Sequence, residues 1–170
     1  MKLPYGISDF DSLITRKLHY VDRTDHIPPL EAAGNQLLFL RPRRFGKSLL
    51  LSVLENYYDL NKADRFDALF GNLAIGRNPT AERNRYFVLK WDFSGVSPLG
   101  DGEEIKRNLY RYLNDRIHAF SVYYREMLPT SPQSTPRMPF PLFDPCWEPP
   151  GRPAIPFICL STNTTTSPMN

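Results

Sequence analysis

One stretch constrains this chain more than any other. Phe39 to Leu51 reads FLRPRRFGKSLLL, an apolar run, a basic turn with one glycine and one proline, then a second apolar run. The first run, Gln36 to Leu40 with LLFL inside it, is too short for a helix. Bounded by turn signals, it predicts a strand buried on both faces. The second run, Ser48 to Asp59, carries Leu49, Leu50, Leu51, Val53, Leu54, Tyr57 and Tyr58. It predicts a helix with little surface left for solvent.

A strand that stops abruptly, a tight turn and a helix start make an anion cradle. The turn's backbone N–H groups converge on a phosphate, and the helix N-terminus adds about half a positive charge. On that reading Arg43, Arg44, Phe45, Gly46, Lys47 and Ser48 form the nucleotide-binding loop. Gly46 allows close backbone approach, Lys47 meets the β- and γ-phosphates, and the Ser48 hydroxyl holds magnesium. Pro42 offers no donor. Arg41 stands where the usual G-x-x-x-x-G-K-[ST] pattern has its first glycine, so the turn closes without a flexible residue there. Arg-Pro-Arg-Arg also fits a solvated surface loop or a nucleic-acid patch.

Around this stretch the pattern is that of an α/β chain. Asp9 to Thr15 predicts a short helix or turn and Leu18 to Val21 a short extended piece. Asp25 is placed to cap a helix running toward Ala33, with Pro28 and Pro29 near its start and Gly34 at its stop. Tyr86 to Phe93, YFVLKWDF, predicts a second strand. Asp101 to about Met127 predicts a long helix, Asp101 and Glu104 forming its cap. Ile105, Leu109, Tyr112, Leu113, Ile117 and Phe120 fall on one face of it, a core-facing stripe. Strand, loop, helix, crossover, strand, helix is the order of a parallel sheet flanked by helices.

The composition changes at Met127. From Leu128 to Asn170 proline recurs every few residues and charged residues nearly vanish. No helical or strand period survives there, which predicts a disordered or extended proline-rich tail. Two domains follow: residues 1–127 and the tail, 128–170. The net charge of +3 is too mild to call for nucleic acid or an acidic membrane by itself. Cys146 and Cys159 fit no zinc or redox spacing, and His19, His26 and His118 show no metal-site pattern. The N-terminus lacks the apolar core of a signal peptide, and no apolar run approaches the roughly 20 residues of a membrane span. A cytoplasmic protein without membrane contact is expected.

At this point FLRPRRFGKSLLLS resembles the phosphate loop of the predicted AAA-ATPase-like family, in which R-P-R-R-F-G-K-S replaces the glycine-first loop. Leu3 to Phe10 (LPYGISDF), Tyr20 to Thr24 (YVDRT) and Asp92 to Ser94 (DFS) are similar to other blocks of that family, in the same order. The likeness covers roughly residues 2 to 125. It implies a partial P-loop NTPase core that binds ATP and magnesium, and it makes the missing first glycine a family trait. Relatives commonly carry a restriction-endonuclease-like nuclease domain further along the chain. They also continue into an acidic Walker B strand similar to L-I-D-E-Y-D, and no such segment is present here. The resemblance therefore implies a truncated or frame-shifted relative that binds ATP but lacks the acidic segment that hydrolysis needs.

Asp92 follows Phe87 to Trp91 and superficially mimics a Walker B aspartate. In the family that segment comes later, so Asp92 is expected to be an ordinary strand-end aspartate. Two rival expectations stand beside ATP binding. Arg41, Arg43 and Arg44 could contact DNA or RNA. Alternatively the chain is a non-functional fragment with unpaired strand edges.

Overall fold

The computed structural model describes residues 2–34, 36–40, 42, 44–97, 99–128 and 157–162. It divides into two compact units, one reaching Lys90 and including Phe157–Thr162, the other beginning at Trp91.

The first unit starts with α1 (Phe10–Thr15), capped by Asp9, whose carboxylate accepts from the Ser12 amide at 2.9 Å. A 3₁₀ turn, Thr24–His26, leads into α2 (Ile27–Ala32). Asp25 lies inside that turn and His26 is the N-cap. Pro28 and Pro29 occupy the first helical turn, where a missing N–H leaves no intrahelical bond unmade. The helix ends at Ala33, and Gly34 follows with φ 119°.

Next comes α3 (Lys47–Tyr58), one residue from the expected start. Its C-terminus runs beside the chain that enters the sheet. The Leu60 amide donates to the Tyr86 carbonyl at 3.1 Å and the Tyr86 amide to the Tyr58 carbonyl at 3.0 Å. Asp59 and Tyr86 form a parallel bridge. A 3₁₀ segment, Leu60–Arg65, and two short helices, α4 (Phe66–Phe70) and α5 (Ala74–Arg77), fill the connection.

Strand β1 (Phe87–Asp92) lies within the expected range and is buried along most of its length. It pairs with β2 (Phe157–Thr162) in a small parallel two-stranded sheet. Strand β2 falls inside the stretch expected to be structureless, and Leu160 packs into the core. The rest of that stretch lies outside the described residues.

The core of this unit joins Phe10, Ile27, Val53, Tyr57, Tyr58, Phe66, Leu69, Phe70, Ile75, Val88 and Leu160. Its aromatic rings meet mostly edge-on or tilted. Tyr57 lies 5.5 Å from Phe70 at 78°, and Phe10 lies 4.9 Å from Phe70 at 33°.

The strand expected before the basic turn does not form. Gln36 to Leu40 forms no strand; Leu38 is 85% and Leu40 77% exposed. A short apolar run becomes a buried strand only when neighbouring strands satisfy its backbone and helices cover its faces. The two described strands pair with each other, and neither takes Gln36 to Leu40 as a neighbour.

The second unit holds the 3₁₀ turn Phe93–Gly95 and α6 (Gly102–Tyr123). The capping reading of α6 holds, since Asp101 accepts from the Glu104 amide at 2.7 Å. The expected apolar stripe is the less exposed face, yet only Phe120 is fully buried. Phe120, Tyr123 and Tyr124 cluster at the helix end, the Tyr124 ring lying 4.7 Å from each of the other two, centroid to centroid.

Candidate functional site

Of the basic turn, Pro42 and Arg44 to Ser48 are described, while Arg41 and Arg43 lie outside the described residues. Gly46 is the N-cap of α3 in the left-handed conformation, φ 76° and ψ 16°. Arg44 is also left-handed, at φ 67°. Backbone of alternating hand can turn successive N–H groups toward one side.

The first regular helical bond runs from the Leu50 amide to the Gly46 carbonyl at 2.8 Å. Among the described residues no side chain caps this helix end, and no acidic residue stands in its first turn. The positive end of the α3 dipole is therefore not neutralised by a carboxylate of its own first turn. Lys47 is half-buried at the helix start; Ser48, Arg44 and Phe45 are exposed. A Cβ added at Gly46 would meet nothing within 4 Å among the described residues.

Further along, α3 is fastened by groups that sequence reading did not single out. Ser52 is 2% exposed. Its Oγ accepts from the Phe10 amide at 2.9 Å and donates to Asp9 Oδ1 at 3.4 Å. The other Asp9 oxygen caps α1. The hydrogen bond from Ser12 holds the Asp9 carboxyl below its ordinary value, against desolvation, with Ser52 and Lys90 adding to the effect. One turn on, Asn56 Nδ2 donates to the Ser52 carbonyl at 2.8 Å. Glu55 pairs with Lys90 of β1 at 2.7 Å, which ties the same helix to the sheet. The one available sequence signal was Ser52 itself, a small polar residue within an apolar helical run.

A second fastening lies on the YVDRT block. Asp22 Oδ1 accepts from the Thr24 amide and hydroxyl, at 2.9 and 2.8 Å. Its Oδ2 accepts from the Ala74 amide at 2.7 Å, while Thr24 Oγ1 accepts from the Ile75 amide at 3.1 Å. Together they cap α5, whose own N-cap, Leu73, has no side-chain oxygen. Desolvation works to raise the Asp22 carboxyl, but the Thr24 and Ala74 hydrogen bonds outweigh it and hold the group low. A third cluster joins Glu31 to the Tyr58 hydroxyl at 3.0 Å and the Thr80 hydroxyl at 2.9 Å. Burial first, then the Glu31 carboxylate, pushes the Tyr58 phenol well above its ordinary value.

Asp92 ends β1. Its Oδ1 accepts from the Ser94 hydroxyl at 2.6 Å and amide at 3.1 Å, which starts the turn that follows. Its own amide donates to the Tyr112 hydroxyl at 2.8 Å. Among the described residues, no group of three or more His, Cys, Asp and Glu side chains is placed to hold a metal ion. Among the same residues no helix is long and apolar enough to cross a membrane.

The start of α3 thus joins a left-handed Gly46 to Lys47 and Ser48. The family described as predicted AAA-ATPase matches residues 4–141 of the 170, which includes this turn. The chain belongs to that AAA-ATPase-like family. Comparison with curated proteins and with solved structures gives no match.

Proposed function

We propose that the chain binds ATP through Arg43 to Ser48. The observation that carries this is the start of α3. A left-handed Gly46 opens the helix, no carboxylate occupies its first turn, and Lys47 and Ser48 follow at once. Membership of a predicted ATPase family supports the choice of a nucleotide over a simple anion.

The residues present fit the phosphates. Among the described residues nothing crowds the Cβ side of Gly46, and Lys47 supplies a charge at the helix start. When nucleotide is bound, magnesium neutralises charge on its outer phosphates, and the exposed Ser48 hydroxyl would be one of its ligands. The fit for magnesium is to a nucleotide-borne ion, because Ser48 is a single neutral donor. The activity proposed is binding, not turnover. Asp92, the one aspartate in a Walker B-like setting, commits Oδ1 to its own turn through Ser94.

Lys47→Ala is expected to weaken ATP binding by about 1.5 to 3 kcal/mol, the scale of a charge-assisted hydrogen bond. That corresponds to roughly tenfold to a hundredfold in affinity. Titration of both proteins with a fluorescent ATP analogue and magnesium measures it, and equal affinities would sink the assignment. A basic nucleic-acid surface built on Arg41, Arg43 and Arg44 makes a different forecast. Binding to a DNA or RNA oligonucleotide would then fall steeply with salt, vanish in the triple Arg→Ala variant and ignore ATP.

A further inference from the structure

A phosphate loop works only if the helix behind it holds a fixed rotation and tilt, because Lys47 and Ser48 move with that helix. In this chain the segment before the loop gives no sheet anchorage, since Gln36 to Leu40 joins no described strand. The anchorage visible on the other side is Ser52, one turn beyond Ser48 on the same face of α3. Its hydroxyl is buried and used twice, accepting from the Phe10 amide and donating to Asp9. Asp9 is in turn fixed as the cap of α1, and Phe10 is fully buried against Tyr20 and Phe70. A chain of directional bonds thus runs from the aromatic core, through Asp9 and the Phe10 amide, to the turn of α3 that follows the loop.

We propose that Asp9 and Ser52 are positioning residues for the phosphate loop. They set the rotation of α3 and thereby aim Lys47, Ser48 and the free end of the helix at the ligand. This rests on the ATP-binding reading above. Apolar packing around Val53 and Tyr57 holds α3 against the core but resists rotation poorly, because dispersion contacts are not directional. Glu55–Lys90 and Tyr58–Glu31 fasten the later turns of the helix, and the Phe10–Ser52 bond adds directionality in the turn that follows the loop. Ser52→Ala removes only one oxygen, but it leaves the Phe10 amide buried without its acceptor.

The test measures binding of Mg-ATP, carried by a fluorescent analogue, to wild type, Lys47→Ala, Ser52→Ala, Asp9→Ala and Asp22→Ala. Ser52→Ala and Asp9→Ala are expected to lose about threefold to tenfold in affinity, the effect of one net hydrogen bond acting through position. Asp22→Ala removes a comparable bond from α5 and serves as the control for lost stability alone. It is expected to lower the melting temperature and leave affinity unchanged. A second readout needs no ligand. The amide resonances of Gly46, Lys47 and Ser48 in the nucleotide-free protein should shift in Ser52→Ala and not in Asp22→Ala. If Lys47→Ala weakens binding while Ser52→Ala and Asp9→Ala do not, the positioning role is wrong and ATP binding stands. Equal affinity losses in Ser52→Ala and Asp22→Ala would reduce the effect to stability and likewise overturn the positioning role. Should wild type itself fail to bind Mg-ATP, both readings fall. If Asp9→Ala does not fold, Ser52→Ala still decides.

Discussion

At Gly46 the backbone is left-handed and a Cβ would meet open space; at Gly76 a Cβ would lie 2.0 Å from the Phe70 carbonyl oxygen. The two glycines therefore answer different demands, one conformational and one steric. Gly46→Ala should cost about 1 to 2 kcal/mol, the strain of a left-handed L-residue. Gly76→Ala should cost more, upward of about 2 kcal/mol, since backbone atoms of Phe70 and Gly71 must move. Urea denaturation of the two variants measures the difference, and an equal loss would contradict the geometry. Sequence reading found Gly46 because its partners are its neighbours: Gly-Lys-Ser before an apolar helix is a local pattern. It did not find Ser52, whose hydroxyl partners lie 42 and 43 positions away at Phe10 and Asp9. Nothing local in LLLSVL distinguishes a buried serine with two partners from an ordinary exposed one.

Among the elements, those defined by their own ends were legible and those defined by neighbours were not. Helices α1 and α6 carry their caps one turn from the atoms they satisfy, Asp9 on Ser12 and Asp101 on Glu104. Strand β1 was found from its aromatic and β-branched content. Gln36 to Leu40 has equal apolar content, but a strand needs a ladder, and apolarity cannot report whether a neighbour is present. Helix α5 shows the same limit in another form, because Asp22 and Thr24, about 50 residues upstream, cap it. Asp22→Ala should destabilise the fold by about 1 kcal/mol, the usual cost of a lost cap. Its pH dependence has a definite sign. The folded Asp22 carboxyl sits below its ordinary value of 3.8, so its contribution is complete above that pH. The contribution drains away as pH falls through the folded value. The stability gap between wild type and Asp22→Ala should therefore be constant from neutral pH to about 5 and narrow below 3.8. A gap that widened in acid would contradict the hydrogen-bonded carboxylate.

On the scale of the whole molecule, the surprise is where the first unit finds its last strand. Its core draws on residues from Phe10 to Leu160, and β2 reaches it from beyond the proline-rich segment. Composition argued against any structure there, and for a physical reason: proline withholds donors, and few charges or periodic apolar residues remain. Yet the six residues of β2, FICLST, contain no proline and include a β-branched isoleucine. That short stretch can take a place beside β1, with Leu160 turned into the core and Cys159 exposed. Alternation of this kind is what a strand with one covered face requires. It yields a paired forecast from adjacent residues. Leu160→Ala should cost about 2 to 3 kcal/mol, through lost burial and an unfilled cavity. Cys159→Ala should stay within about 0.5 kcal/mol of wild type. Guanidinium unfolding followed by tryptophan fluorescence reads both, since Trp91 lies on β1 and is itself buried. If both substitutions are silent, β2 is no part of the core. If instead Cys159→Ala is costly and Leu160→Ala silent, the strand is held with its other face inward, because a shift of one residue exchanges the two side chains.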